Sequence, residues 1–538
     1  MTLLAGFLEV FCRALVFIGL SLGVGGIVFY HAVLRRQALG DGIGGMVLRR
    51  AASLVGAGAF LAAAAQMLAL VTAPWALADE AGRWPLDAFL ATGYARAGMI
   101  HAAFGLCLGC AGLRLRRRPR SPGVWGMAAL LAAEVMASGA WLVHGASRLE
   151  HSAALMTVTV LHQLGAAAWI GGTMHLTAQW LLLRRSPEGE LLWPQLPPRF
   201  SPLAMGSVAL LLAAAGYLSW HYVGGPGGLI GTAYGAMVAT KAALMGCALF
   251  LGGMNFLTIR HWKETGEREG LFRRIPYFAE TEAGIGTAIL MAAASLASLP
   301  PAVDTLVERA TPAEVFRVFA PKLPQLTSAP LAEMLAGASS SLDPFSLPTA
   351  LQKIQSNFNH NVSGIFVILM GAAALLDRTT GRRPFRHWPL LFLPFALFLL
   401  VFAEPTGWPL GREGFWETLA APEVLQHRLA TLLVVGLGLF EWRVRVGPLA
   451  ETRWRYAFPL LCGVGGALLL SHAHSVFAVK WAFLIEVSHN AIGFLAVLMG
   501  AGRWLELRLP GREGRAAGLV WPVCFMLVGV VLLFYRET

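Results

Sequence analysis

The sequence predicts an all-α fold: a polytopic integral membrane helix bundle of about fourteen transmembrane helices, with both termini on the outer face. Three observations lead there. Of 538 residues, 56% are hydrophobic and only 13% are charged, against roughly 25% charged in a soluble globular chain. The apolar residues fall into runs of about 20, the length that crosses a bilayer as a helix. The loops between the runs alternate in charge.

The spans follow in order. The first, near 3–34, opens with MTLLAGFLEVFCRALVFIGL, which lacks a basic leading region and a small-residue cleavage site and contains Glu9 and Arg13. It is expected to be a retained helix, not a signal peptide. Further spans are predicted near 51–74, 87–113, 122–145, 152–183, 200–222, 232–258 and 281–299, and then near 357–376, 387–404, 423–441, 456–472, 482–502 and 517–535. Alternate loops, from Arg35-Arg36 and the run Arg114–Arg120 to Arg512 and Arg515, hold 29 of the 42 Lys+Arg residues. The opposite loops and the C-terminal tail hold ten. The basic set marks the cytoplasmic side.

The chain divides near residue 300 into an eight-helix part (1–300), an outer segment (301–356) and a six-helix part (357–538). The outer segment is long for a bare loop. Within it, Thr311-Pro312-Ala313-Glu314 reads as a capping box with proline at the first helical position, so an amphipathic surface helix is expected. With no histidine, no cysteine and one methionine, Met334, the segment suits a lid, spacer or docking surface better than metal collection.

The net charge of +12 does not imply a nucleic-acid partner, because the basic residues sit where topology requires them; the lipid bilayer is the partner. The six cysteines lie in or at the ends of spans, so no disulfide framework is expected. No nucleotide-binding glycine loop, H-E-x-x-H pair or nucleophile elbow occurs, and no enzymatic activity is expected.

Histidine placement is the chemical signal. His144, His151, His221, His360, His427, His472 and His474 fall at the outer face, and His101, His162 and His489 lie deeper on helices that start there. His31, His261 and His387 fall on the inner side, with His175 near that end of the fifth span. Imidazole is a poor lipid-facing group and a ready ligand for copper-like metals, so a one-sided set points to a metal path. His151 and His162 are eleven residues apart, which brings them within about 20° on a helix, and Trp169 continues the stripe. Gly165, Ala168 and Gly172 form a small-residue face suited to close helix packing; one buried, bonded histidine in a packing helix is the plainer reading of His162.

His101, with Met99 nearby and Cys107-Leu-Gly-Cys110 beyond it, offers softer ligands toward the cytoplasm, though cysteine in an apolar helix also serves as a small hydrophobe. Lys241 and Glu134 are ionisable groups near mid-membrane, compatible in depth with a buried ion pair or a gate. In the six-helix part, His360, His427, the His472-Ala-His474 turn and His489 all start from the outer face and offer a trigonal or tetragonal copper site.

The stretch Leu161–Gly172, Arg199-Phe-Ser201, and Tyr234-Gly235, Lys241 and Asn255 along the seventh span resemble the copper resistance D (CopD) family of bacterial inner-membrane proteins. NFNHN, EVLQHR, GLFEWRVR, SHAHS and RWLELRLP look like the extension of its longer members. The resemblance implies copper movement across the inner membrane, usually inward, and a separate periplasmic copper-binding partner of the CopC type, if any; the outer face, where the loop charges put both termini, is then the periplasm. It attaches that expectation to His162, Trp169 and Gly172. Two other readings stay open: a b-type cytochrome holding haem between His101 and His162 or between His360 and His489, and a copper sensor or assembly factor that transports nothing.

Overall fold

The structure, a computed structural model, describes residues 2–36, 42–76, 84–305, 309–337, 349–420, 422–471 and 480–537. Among these there are helices and no strand. Thirteen helices among the described residues are long and apolar enough to cross a membrane. The remaining expected span, 423–441, is also helical, as Pro422–Val446.

We label the spans α1 (Gly6–Leu34), α2 (Ile43–Trp75), α3 (Gly93–Arg117), α4 (Pro122–Leu142), α5 (Ser152–Leu183), α6 (Pro187–Tyr222), α7 (Ala233–Thr265) and α8 (Glu269–Asp304). They continue as α9 (Ala350–Thr380), α10 (Arg383–Phe402), α11 (Pro422–Val446), α12 (Arg453–Ser471), α13 (Lys480–Arg508) and α14 (Gly511–Leu533). Several overrun the predicted spans, because helices continue past the hydrocarbon until a cap stops them. Thr232 caps α7 through the Gly235 N–H, and Gly266 ends it in the left-handed conformation. Chain contacts separate a first unit, which contains α1–α8, from a second that begins at Ala310 and contains α9–α14 apart from the end of α12 from Leu470, which groups with the first.

The first unit is solid at one end and hollow at the other. Its inner half packs Val55, Leu115, Trp125, Leu183, Trp193 and Ile275 in one buried cluster. Tyr30 stacks on Trp125 at 3.6 Å, and the Trp193 indole N–H donates to the Leu271 carbonyl at 2.8 Å. At mid-depth α1 and α5 touch backbone to backbone. A Cβ on Gly171 would stand 1.8 Å from the Ser21 carbonyl oxygen, and one on Gly25 would stand 2.1 Å from that of Ala167. Glycine is therefore obligatory at this crossing. Here α5 widens into a π turn, Ala167–Gly171, a geometry that occurs mostly at functional positions in helices.

In the second unit α9 packs on α14 and α14 on α13 around Met370, Trp388, Phe458, Trp521 and Phe525. Two arginines expected in cytoplasmic loops are buried instead. Arg445 lies 4.9 Å from the Trp388 ring and 5.0 Å from the Trp521 ring, and pairs with Glu441 at 2.8 Å. Arg503 pairs with Glu506 at 2.7 Å. Helix continuation past the predicted boundary carries both into the protein, where tryptophan faces and carboxylates replace water. The amphipathic helix forms as expected, Pro312–Phe319, with the Thr311–Glu314 capping box complete, and Glu314 pairs with Lys480 at 2.7 Å.

Candidate functional site

The hollow half of the first unit is a cavity of about 1030 Å³. Its lining comes from the halves of α1–α8 that the charge pattern assigns to the outer side. It runs from Glu9, Tyr94, His144 and Tyr222 near the helix ends to Ser21, Gln66, His162 and Trp169 at mid-depth. This volume is at the top of the range for small-molecule sites and far exceeds a bare ion. It suits a vestibule from which single side chains select.

His162 is the best-defined donor. Gly165 lets α6 approach: a Cβ there would meet the Ser207 carbonyl at 3.0 Å and Leu211 at 3.3 Å. That approach brings the Leu211 carbonyl to 3.2 Å from His162 Nδ1. A carbonyl only accepts, so Nδ1 carries the proton and Nε2 keeps the lone pair, the arrangement common to metal-binding histidines. His101, 3% exposed, repeats the pattern: its Nδ1 lies 3.3 Å from Ser138 Oγ, whose own proton goes to the Glu134 carbonyl at 2.7 Å. Both rings line the cavity.

His144 also lines the cavity, near its mouth, in the short turn His144–Ser147 outside the spans. Its pKa lies below the usual imidazole value. Burial is the main cause, followed by the Arg13 and Arg148 charges, with Asp304 and the Ala297 carbonyl opposing. Arg148 is held there by a two-point bond to Asp304 (2.9 and 2.6 Å) and lies 5.7 Å from the Tyr222 ring.

At the cavity floor the Trp169 indole N–H donates to Glu282 Oε1 at 2.6 Å, and Asn255 Nδ2 donates to Oε2 at 3.5 Å. Glu282 is 6% exposed and in no ion pair among the described residues. It was not anticipated from sequence, because the eighth span was expected to begin at 281. The long continuous helix within α8 begins earlier, at Ile275, so Glu282 lies two turns inside it.

Several expected partners do not come together. His151 does not share the His162 stripe: α5 starts at Ser152, and His151 precedes it in a left-handed conformation, φ 56°. Its ring instead lies 5.3 Å from that of His221. Met99, Cys107 and Cys110 are exposed. Six and nine residues beyond His101, the cysteines lie about 240° and 180° around the helix from it, so they face away from the cavity. The sulfurs at the cavity are those of Met136 and Met245. Lys241 lines the cavity while Glu134 is exposed on α4, and no ion pair joins them.

In the second unit His360 and His489 are neighbours, with ring centroids 6.2 Å apart. His427 stands apart from them, bonded through Nδ1 to Glu404 at 2.5 Å. His472 and His474 lie outside the described residues. No group of three histidine, cysteine or carboxylate side chains converges as a ready metal site among the described residues.

Residues 194–296 match the family of copper resistance protein D, CopD. The chain carries a CopD-family region. That region spans most of α6 and α7–α8, and so contains Leu211 and Glu282, which accept from His162 and Trp169, together with Asn255, which donates to Glu282, and the cavity-lining Lys241. The chain is 28% identical over 208 residues to copper transport protein CutJ of Bacillus subtilis (strain 168). That match covers 38% of this chain and 36% of the relative, so the chain spans about a third of the relative's length. No solved structure matches. The chain thus carries a CopD-type region within a multi-pass bundle of membrane-spanning helices.

Proposed function

We propose that the first unit passes copper from the periplasm toward the cytoplasm across a bacterial inner membrane. The observation that carries this reading is the His162 ring in the cavity wall, its Nδ1 proton held by the Leu211 carbonyl. His144 takes copper at the mouth; His162 and His101 take it deeper. Met136 and Met245 supply thioether sulfur beside them, and soft sulfur with imidazole favours Cu(I). The bonded floor of Trp169, Glu282 and Asn255 is the inner barrier, and the π turn Ala167–Gly171 is where α5 yields when the barrier opens. Arg148, the partly exposed Tyr94 and His144 rings near the mouth and the size of the vestibule suit delivery by a CopC-type periplasmic protein.

Copper uptake by proteoliposomes containing the full chain tests this. His162→Ala should lower the initial rate at least tenfold with normal protein yield and melting temperature. Uptake by His162→Ala at the wild-type rate would overturn the assignment, and no uptake by wild type above empty vesicles would favour a copper-binding protein without transport.

A further inference from the structure

The second unit contains a histidine pair that the transport pathway does not use. His360 lies on α9 and His489 on α13, each about two turns or more from the same end of the unit. His360 Nδ1 donates to the Ser356 carbonyl at 2.8 Å. His489 Nδ1 donates to the Ile485 carbonyl at 3.0 Å. Each bond runs back to the carbonyl four residues earlier on the ring's own helix. It fixes the proton on Nδ1, leaves the lone pair on Nε2, and turns Nε2 away from that helix.

The spacing has a direct chemical meaning. Two imidazoles bound through Nε2 to opposite sides of one metal ion have centroids separated by two metal–nitrogen bonds of about 2.0 Å and two centroid-to-nitrogen distances of about 1.1 Å, roughly 6.2 Å in all. The observed separation is 6.2 Å, with the rings at 87°. The surroundings hold both rings in place. Tyr535 stacks on His360 at 3.9 Å and meets His489 edge-on at 6.2 Å. Glu537 accepts from the Tyr535 hydroxyl and from Ser356 Oγ, both at 2.6 Å. Its backbone N–H donates to Asn357 Oδ1 at 2.6 Å. Asn361 Nδ2 donates to the Leu532 and Tyr535 carbonyls. The chain after α14 is thus tied across α9, and Tyr535 is tied with it.

We propose that His360 and His489 form a two-coordinate Cu(I) site. Two neutral nitrogens in line satisfy Cu(I), whereas Zn(II) requires about four ligands. Oε2 of the nearby carboxylate, Glu537, is already engaged by two hydroxyl donors. A haem would need a clear disc between the two rings, and Tyr535 packs against both of them. The site is independent of the transport reading, since neither residue lines the first unit's cavity.

The test uses purified full-length protein carrying His144→Ala and His162→Ala, so that the first unit's donors are weakened, titrated with Cu(I) against the chelator bicinchoninate. Adding His360→Ala, or separately His489→Ala, should each remove one equivalent of tightly bound Cu(I). Tyr535→Phe, which keeps the stack, should keep that equivalent and control for folding. X-ray absorption of the parent should show two nitrogen neighbours in a near-linear array. Unchanged stoichiometry in both histidine variants would overturn the site, as would four-coordinate copper. A Soret band in the protein as isolated, lost with either histidine, would assign the pair to haem instead.

Discussion

The floor of the cavity offers a bond whose strength can be measured. Trp169 is 3% exposed, and its indole N–H reaches Glu282 Oε1 at 2.6 Å; the other donor, Asn255, is at 3.5 Å on Oε2. Trp169→Phe keeps the ring's apolar bulk and deletes this donor. Hydrogen bonds to charged groups contribute about 1.5–3 kcal/mol in soluble proteins. Double-mutant cycles inside membranes average about 0.6 and reach about 1.7 kcal/mol, because the membrane-embedded unfolded state also finds partners. The short distance and exclusion of water place this pair near the upper membrane value, about 1.5 kcal/mol, or roughly tenfold in the folding equilibrium. The assay is reversible unfolding in mixed micelles for wild type, Trp169→Phe, Glu282→Leu and the double variant. The double variant should be less destabilised than the sum of the singles by that amount, since it leaves no orphaned acceptor. A coupling below about 0.5 kcal/mol, the range of ordinary additivity, would refute the bonded floor.

Gly171→Ala places a methyl group 1.8 Å from the Ser21 carbonyl oxygen. Because the obstacle is backbone, destabilisation should be at or above the upper end of the roughly 1–3 kcal/mol seen for overpacking, and a wild-type melting temperature would disprove the tight crossing. Cys107→Ser with Cys110→Ser should leave copper uptake within about twofold of wild type, since both side chains face away from the cavity; a tenfold loss would restore them to the path. His144 has a lowered pKa, partly from Arg148, so its neutral, metal-binding form persists as pH falls below the usual imidazole range. Arg148→Gln removes a charge that opposes protonation. The low-pH midpoint of copper binding should therefore move to higher pH, measured by titration at fixed copper, and a shift to lower pH would contradict the sign of that interaction.

What the sequence determined by itself was local. Apolar run length located the thirteen helices long and apolar enough to cross a membrane, and the run at 423–441 falls on a helix, α11, that carries Arg428, Glu441, Arg443 and Arg445. The small-residue face of α5 was legible because packing stripes follow from helical period: Gly165 meets α6 at Leu211, and Gly172 meets it at Phe200. His162 and Trp169 stood out as polar groups in an apolar run. The errors came where a boundary or a rotation mattered. Extending the helical phase of α5 back to His151, one residue before the span, put that ring on the wrong stripe, and starting α8 too late hid Glu282. Counting depth without phase sent the pathway to Cys107 and Cys110, when the inward-facing sulfurs were Met136 and Met245 on other helices.

Only tertiary structure decided which distant groups meet: His162 with the Leu211 carbonyl, Trp169 with Glu282, His360 with His489. In a bilayer, hydrophobic length fixes that a helix spans, and that information lies within one segment. Which neighbour it packs on depends on shape and hydrogen bonding between segments. For this chain those contacts join residues 49, 113 and 129 positions apart, beyond the reach of any local pattern.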